Sequence, residues 1–405
     1  YQHVQRAQWE ARISDTLGVR VTAGSFRMTA PQQFRATAVE VRHPETQALL
    51  ARVARVDGLM KPHGWSILLD EPVLDAAQVD DGIQVLHDWF LCRPQTSSNL
   101  LAIGIPHGLK IHSSNGTTVI DRIEVLMRPS ETSTKIQSKI AMVDQPFGEV
   151  SIAVTRDHDA RTPATSVEVS SPKAWLSCAP WAARFPMLNN LGREARFRGV
   201  VHCNVQSSQW DASFTGEVEQ IDWGAVTAAM GSPVHSAGSL RIDQLNVQDG
   251  KILRAQGGME LRGGSVHRAW LERLVQNLKL PGQWPAQWSE NKPELLDIEN
   301  AGFDFALDGQ GLRLQGKLRG PSHWPPVAAK MLGVILCTQD ESLSLSALVH
   351  SLQSIPSPAG VPADVDLNAV YLTSILPWPS SVAPGPVVRP QARLSQRTDE
   401  VSLRQ

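Results

Sequence analysis

Side chains able to act on a substrate are scattered along this sequence, so their spacing decides whether any of them act together. Asp157, His158 and Asp159 are consecutive, a set that suits a divalent cation, yet adjacent strand or loop residues project to different sides. The expectation there is a solvated loop and no metal. His43, Glu45 and His63 stand beside Pro44 and Pro62, in turn-like segments where hydration accounts for them. Asp80 and Asp81 precede an apolar helical run and read as helix caps, because a glycosidase pair must flank its substrate from separate elements. Gly257-Gly258 and Gly263-Gly264 lack the Lys-Ser or Lys-Thr of a phosphate-cradling loop, and are expected to form bulges and tight turns. Neither a nucleophile elbow nor a dinucleotide fingerprint occurs in the chain. The expectation is a protein that is not an enzyme and uses no cofactor.

The four cysteines, Cys92, Cys178, Cys203 and Cys337, lack the short paired spacings of tetrahedral zinc or a redox dithiol. A single Cys178 to Cys203 bridge stays open for an oxidising compartment. With 38 Lys plus Arg against 40 Asp plus Glu, the formal charge is −2, which gives no field for wrapping a polyanion and excludes nucleic acid as the expected partner. Twelve tryptophans accompany two tyrosines, and Trp223, Trp270, Trp284, Trp288 and Trp324 fall close together. Indoles suit boundaries with one apolar and one wet side, including lipid headgroups, although core packing accounts for most of them.

The elements that must position these residues are mostly strands. Trp9, Ile13 and Leu17 recur every four residues before Gly18, which predicts an opening helix that closes one end of a sheet. From Val19 the period becomes two, as in Phe26 and Met28, then Phe34, Ala36 and Ala38, the pattern of strands with one buried face. Turn dipeptides Asn115-Gly116, Asp249-Gly250 and Asp308-Gly309 predict three hairpins and an antiparallel meander. Alternation is clean at Ile123, Val125 and Met127; at Ile136, Ile140 and Met142; at Val150, Ile152 and Val154; and at Val201, Cys203 and Val205 followed by Trp210, Ala212, Phe214 and Val218. Further helices are predicted at 269–280, at 83–91 and at 327–336, as lids or caps on sheet faces.

The polar stretch 157–172 predicts a boundary between a first segment, 1–156, and a second, 173–353. Residues 354–405 are rich in Pro and Ser and are expected to be largely disordered. No stretch approaches the roughly 18 consecutive apolar residues of a membrane span, so the chain reads as soluble. It begins at Tyr1, from which the expectation is that something upstream, including a membrane anchor, was removed.

The segment ISDTLGVRVTAGSFRM from Ile13 to Met28, followed by FRATAVEVRHPETQALLARV from Phe34 to Val53, resembles the start of AsmA-like proteins of the Gram-negative envelope. Leu17-Gly18-Val19 and the His43-Pro44-Glu45-Thr46 turn occupy the family's helix end and first turn, and LLDEPVL from Leu68 to Leu74 looks like its next strand. GSLRIDQLNVQDGKILRAQGGMEL from Gly238 to Leu261 and FDFALDGQGLRLQGKL from Phe303 to Leu318 are similar to its later strand–turn–strand modules. The resemblance implies a mainly β protein: an elongated, curved antiparallel sheet forming an open, taco-like groove, with a few capping helices. It implies a periplasmic protein, anchored to the inner membrane, that shelters phospholipid acyl chains in transport or outer-membrane biogenesis. Val201, Cys203, Val205, Trp210, Phe214, Phe303, Phe305 and Leu307 are the expected groove lining, and the resemblance supplies no catalytic residue. The rival readings are a structural or protein-interaction β module of the envelope and a carbohydrate-binding or carbohydrate-active protein.

Overall fold

A computed structural model of the chain describes residues 2–92, 100–113, 116–141, 148–179, 186–206, 209–228, 234–285, 293–318, 327–331, 334–338, 342–352 and 374–377. Its twenty strands form one mainly antiparallel sheet, so the protein is mainly β with a few helices, as the alternation predicts. The sheet begins with β1 (Arg20–Ala30), β2 (Gln33–Arg42), β3 (Leu49–Lys61) and β4 (Gly64–Asp75), each antiparallel to the one before. Two strands then share the far edge of β4 and run parallel to it: β5 (Leu100–Ile105) beside Gly64 to Leu68, and β6 (Leu109–Ser113) beside Val73 to Asp75. β6 continues only into a side hairpin with β7 (Gly116–Ile120).

From β5 the sheet proceeds without a break through β8 (Ile123–Pro129), β9 (Ser133–Ala141), β10 (Glu149–Asp157), β11 (Ala164–Ser177) and β12 (Arg196–Gln206). It goes on through β13 (Gln209–Asp222), β14 (Val234–Gln248) and β15 (Lys251–His267). A two-residue strand, β16 (Gly282–Gln283), is passed over, and β15 pairs with β17 (Leu295–Asp308). The far edge of β17 takes β18 (Gly311–Gly316) and β19 (Val327–Met331), and β19 leads back through β20 (Val334–Cys337) to β16.

Several expectations change. The parallel β4–β5 pair departs from a pure meander, and it needs the crossover helix that follows β4. The run 327–336 is not a helix but β19 and β20, buried on both faces; a short continuous apolar run fits a buried strand as well as a helix, and here the sheet takes it. The polar stretch 157–172 holds the β10–β11 connection and the larger part of β11, hydrogen-bonded to β10 and β12, so the sheet runs on through it. Its polar residues Ser166, Glu168 and Ser170 are simply the solvated side of β11. Asp249 and Gly250 do form a two-residue turn, with φ of 49° and 82°. In the β17–β18 hairpin, however, Asp308 pairs with Gly311, so the turn residues are Gly309 and Gln310. Most of the tail lies outside the described residues, as do Met142, Trp288 and Trp324; Leu376 is buried against Leu307, Leu312, Leu345 and Val349.

The first four strands carry a feature that alternation alone misses. Ala38 and Glu71 take left-handed φ of 49° each, and they lie in one row with Gly24 and Ala54 across β1 to β4, by the register of the flanking pairs. The buried side therefore changes parity at this row: Val21 and Ala23 before it and Phe26 after it on β1, Phe34 and Ala36 then Val39 on β2. Ala38 and Met28, expected on the buried face, are exposed.

Helix α1 (Gln2–Leu17) lies along β1 as the sequence predicts. β1 is an edge strand with unpaired N–H groups, and α1 covers them: Val21 N–H donates to Ser14 Oγ at 3.0 Å and Ala23 N–H to Glu10 Oε1 at 2.8 Å. Gly18 ends the helix at φ 66°, and a Cβ there would fall 1.9 Å from Trp89 Cγ. Gly18→Ala thus combines a left-handed penalty of about 1 kcal/mol with displacement of the indole. A lowered melting temperature is the expected result; an unchanged one would show that Trp89 moves freely.

The crossover contains α2 (Val79–Val85), continued as a π-helical turn over Leu86–Leu91. Asp75 caps a 3-10 turn, Ala76–Gln78, that leads into α2, its Oδ1 accepting from Ala77 N–H at 2.9 Å, while Asp80 and Asp81 fall in the first turn of α2 and not at its cap, where the helix dipole still favours them. α3 (Trp223–Ala228) packs on β14, α4 (Arg268–Leu278) follows β15, and α5 (Leu345–Leu352) packs on both β18 and α4.

Candidate functional site

Residues directly opposed in a β ladder point to the same face, so the registers trace one face of the sheet from strand to strand. One such row reads Met127, Ile136, Val154, Val167, Cys203, Ala212 and Val247 across β8 to β14. The next reads Ile152, Val169, Val201, Phe214, Leu245, Ala255 and Leu307 across β10 to β17. A single apolar face thus runs through the sheet. The opposite face carries ion pairs, among them Arg55–Asp70 at 2.8 Å, Arg198–Glu217 at 2.6 Å and Lys317–Glu260 at 3.1 Å. His107 and Arg55 hold the Asp70 carboxyl below its usual range, and Lys317 does the same for Glu260.

On that charged face Arg241 reaches across Gly258 to Asp304 at 3.0 Å. A Cβ on Gly258 would lie 2.5 Å from Asp304 Oδ1, so the glycine keeps a path for the guanidinium. Gly258 is therefore an in-register strand residue, while Gly257 stands beside the register shift between Ile242 and Gln244, and Gly263 and Gly264, at φ 69° and 103°, sit at another, as expected.

The apolar face is covered unevenly. At the first end α1 and the π-helical turn seal it: Trp9, Ile13 and Leu17 with Phe90 and Leu91 close over Phe26, Phe34, Val56, Ile67, Leu101 and Met127. At the other end α4, β19 and β20 cover Leu261, Val266, Leu296 and Ala301, with Trp223, Trp270 and Trp284 packed against them. Beside that cluster α5 and Leu376 cover Leu307 and Leu312, with Phe305 and Leu314 packed alongside. Between the two ends, Ile152, Val167, Val201, Cys203, Ala212, Phe214, Leu245 and Val247 are only half-buried. Among the described residues no helix and no second sheet packs over them. Val205 and Trp210, paired at the rim, are 41% and 38% exposed.

The expected groove lining therefore divides. Val201, Cys203, Val205, Trp210 and Phe214 belong to the uncovered middle. Phe303, Phe305 and Leu307 belong to the closed end, where Phe305 and Leu307 lie in the core that α5 covers. All eight lie on the apolar face of their strands, but alternation holds no signal for which stretch a distant helix will cover.

Cys203 sits on the floor of the uncovered stretch, and burial, helped by Asp211, pushes its thiol pKa up. Cys178 donates its N–H to Ala195 O at the far end of β12, and Cys203 is eight residues further along, roughly 26 Å at about 3.3 Å per residue. That separation excludes the Cys178 to Cys203 bridge, and both thiols are free.

Asp157, His158 and Asp159 do not converge. Asp157 Oδ1 accepts from the N–H groups of Asp159 and Ala160, while the His158 ring contacts Thr134 Oγ1 at 3.2 Å. A different trio, His87, Asp88 and Cys92, comes within 4.8 Å, because the π-helical bond from Cys92 N–H to His87 O aligns residues five apart. Asp88 already holds His87 Nδ1 at 2.7 Å, and the sulfur is 3.6 Å from both ring nitrogens. The sulfur therefore lies over the ring and not in line with a lone pair, which makes this a hydrogen-bonded helix end, not a preformed metal site.

No protein-family model, curated protein or solved structure matches the chain. No helix among the described residues is long and apolar enough to cross a membrane. Function is therefore argued from the sheet itself.

Proposed function

We propose that the chain is a non-enzymatic envelope protein that shelters lipid acyl chains in the uncovered middle of its apolar sheet face. The observation that carries this reading is a continuous apolar face, sealed by helices at both ends and closed around Val150, Ala174 and Leu176, but half-exposed at Ile152, Val167, Cys203, Phe214 and Val247. An acyl chain laid there gains about 0.8 kcal/mol per buried methylene, and the exposed apolar side chains lose their contact with water. The AsmA-like resemblance of the opening residues supports the same reading and supplies its setting: a periplasmic protein, held at the inner membrane, in phospholipid transport or outer-membrane homeostasis. The structural-module alternative requires a partner protein on this face in place of lipid.

Native mass spectrometry of the purified chain, followed by organic extraction, tests the proposal. A co-purifying two-chain lipid that extraction removes is the expected result. A lipid-free protein that takes up no lipid from phospholipid vesicles overturns the reading.

A further inference from the structure

The apolar face carries a cation, Arg156, at the mouth of its uncovered stretch. β10 alternates Val150, Ile152, Val154 and Arg156 on the same side, so Arg156 continues the apolar series. The register confirms its side: Arg156 pairs with Thr134 and Thr165, Thr165 pairs with Val205, and Val205 pairs with Trp210. This row lies one step beyond Val154, Val167, Cys203 and Ala212, at the rim of the apolar floor.

Arg156 is short of partners. Its Nη1 donates to Thr165 Oγ1 at 2.6 Å, its Nε is buried with no partner, and among the described residues no carboxylate stands within ion-pair distance. The other arginines with a buried, unpartnered Nε, Arg6 and Arg55, are in ion pairs with Glu10 and with Asp57 and Asp70. Around Arg156 the groups are hydroxyls and an imidazole: Thr134 and Thr165 are buried, at 0% and 6% exposure, and His158 contacts Thr134. A guanidinium left without a carboxylate on an otherwise apolar face is costly unless an anion completes it. Its planar fork matches a phosphate oxygen pair.

Resting on the lipid reading above, we propose that Arg156, held in place by its bond to Thr165, seats the phosphate of a phospholipid headgroup. The acyl chains then lie inward over Val154, Val167, Cys203 and Val201. The dimensions agree: β10 to β14 span about 19 Å at about 4.8 Å per strand, against about 15 Å for chains that fill one leaflet of a bilayer core about 30 Å thick. Since α1 closes one end and the α4–α5 pair the other, the stretch holds one such lipid and is not a conduit.

The test compares phosphatidylglycerol with diacylglycerol of the same chains, presented to the full chain from mixed vesicles, with bound lipid counted by mass spectrometry. The expected result is one phosphatidylglycerol per protein, preferred over diacylglycerol roughly ten- to hundredfold, the range of a charge-assisted pair. Arg156→Gln should remove that preference while diacylglycerol uptake and melting temperature hold. Arg156→Lys, which keeps the charge but not the fork, should retain part of it and serves if the Gln variant does not fold. Equal uptake of both lipids by the unaltered chain, or a preference that survives in the folded variants, overturns the headgroup seat and leaves chain sheltering standing. Uptake of neither lipid overturns the sheltering reading itself. Competition by millimolar inorganic phosphate as strong as that of the lipid would mark an ion site and also overturn the seat.

Discussion

Leu307→Asp is expected to unfold the C-terminal part of the sheet, while Val201→Asp should leave the protein folded and empty of lipid. The two residues share one row of the apolar face, with three strands between them. Their surroundings separate them. Leu307 is 8% exposed, packed with Leu312, Leu345, Val349 and Leu376, so a carboxylate there is buried with no cation and costs several kcal/mol. That is a large share of the roughly 5–15 kcal/mol that holds a domain folded. Val201 is half-buried in the uncovered stretch, where the carboxylate reaches water and the fold is spared. Acyl chains placed against that charge would lose the apolar contact that binds them. Calorimetric melting and lipid co-purification on both variants check the pair. Comparable destabilisation by the two would mean that Val201 faces a sealed core, and the open stretch would be rejected.

The same pair marks how far the sequence could be read. Period-two alternation located the apolar side of nearly every strand, since one buried face imposes it locally. The end of α1 at Gly18, the Asp249-Gly250 turn and the helix ending near Pro281 were legible for the same reason: each is fixed by residues within a few positions of itself. What was not legible depends on distant partners. Ala38 carries no local mark of a left-handed conformation, and its parity change follows from a row of four strands adjusting together. The run 327–336 became strand because β17 offered an edge to it. The parallel placement of β5 depends on a crossover whose length, not its composition, decides the geometry. Arg156 carries no local mark that sets it apart from other charges, and its place on the apolar side emerges only once the registers of β9 to β13 are joined.

Phe34→Ala is the second change with a large expected effect. Phe34 is 4% exposed and stands at the centre of an aromatic cluster: Trp9 lies 5.4 Å away, Phe26 5.7 Å and Trp65 6.0 Å between ring centroids. Trp9 is the contribution of α1 to this cluster and itself stacks on Phe26 at 5.2 Å. Removing the central ring should cost about 3–5 kcal/mol in lost transfer and cavity terms, with each broken aromatic pair adding about 0.5–1.5 kcal/mol. The loss falls on the docking of α1, because Trp9 joins the helix to this cluster, beside the packing of Ile13 and Leu17, the Ser14 and Glu10 hydrogen bonds and the Arg6 contact with Gly24 O at 3.3 Å. An undocked α1 opens the first end of the apolar face. The variant should therefore melt at a distinctly lower temperature, be cut by protease within the first 18 residues, and bind more than one lipid per chain. Phe34→Leu, which keeps most of the volume, should restore both the melting temperature and the single-lipid count. A Phe34→Ala protein with its α1 still protected from protease would show that the helix docks without the cluster, and that the seal at this end is made by the π-helical turn alone.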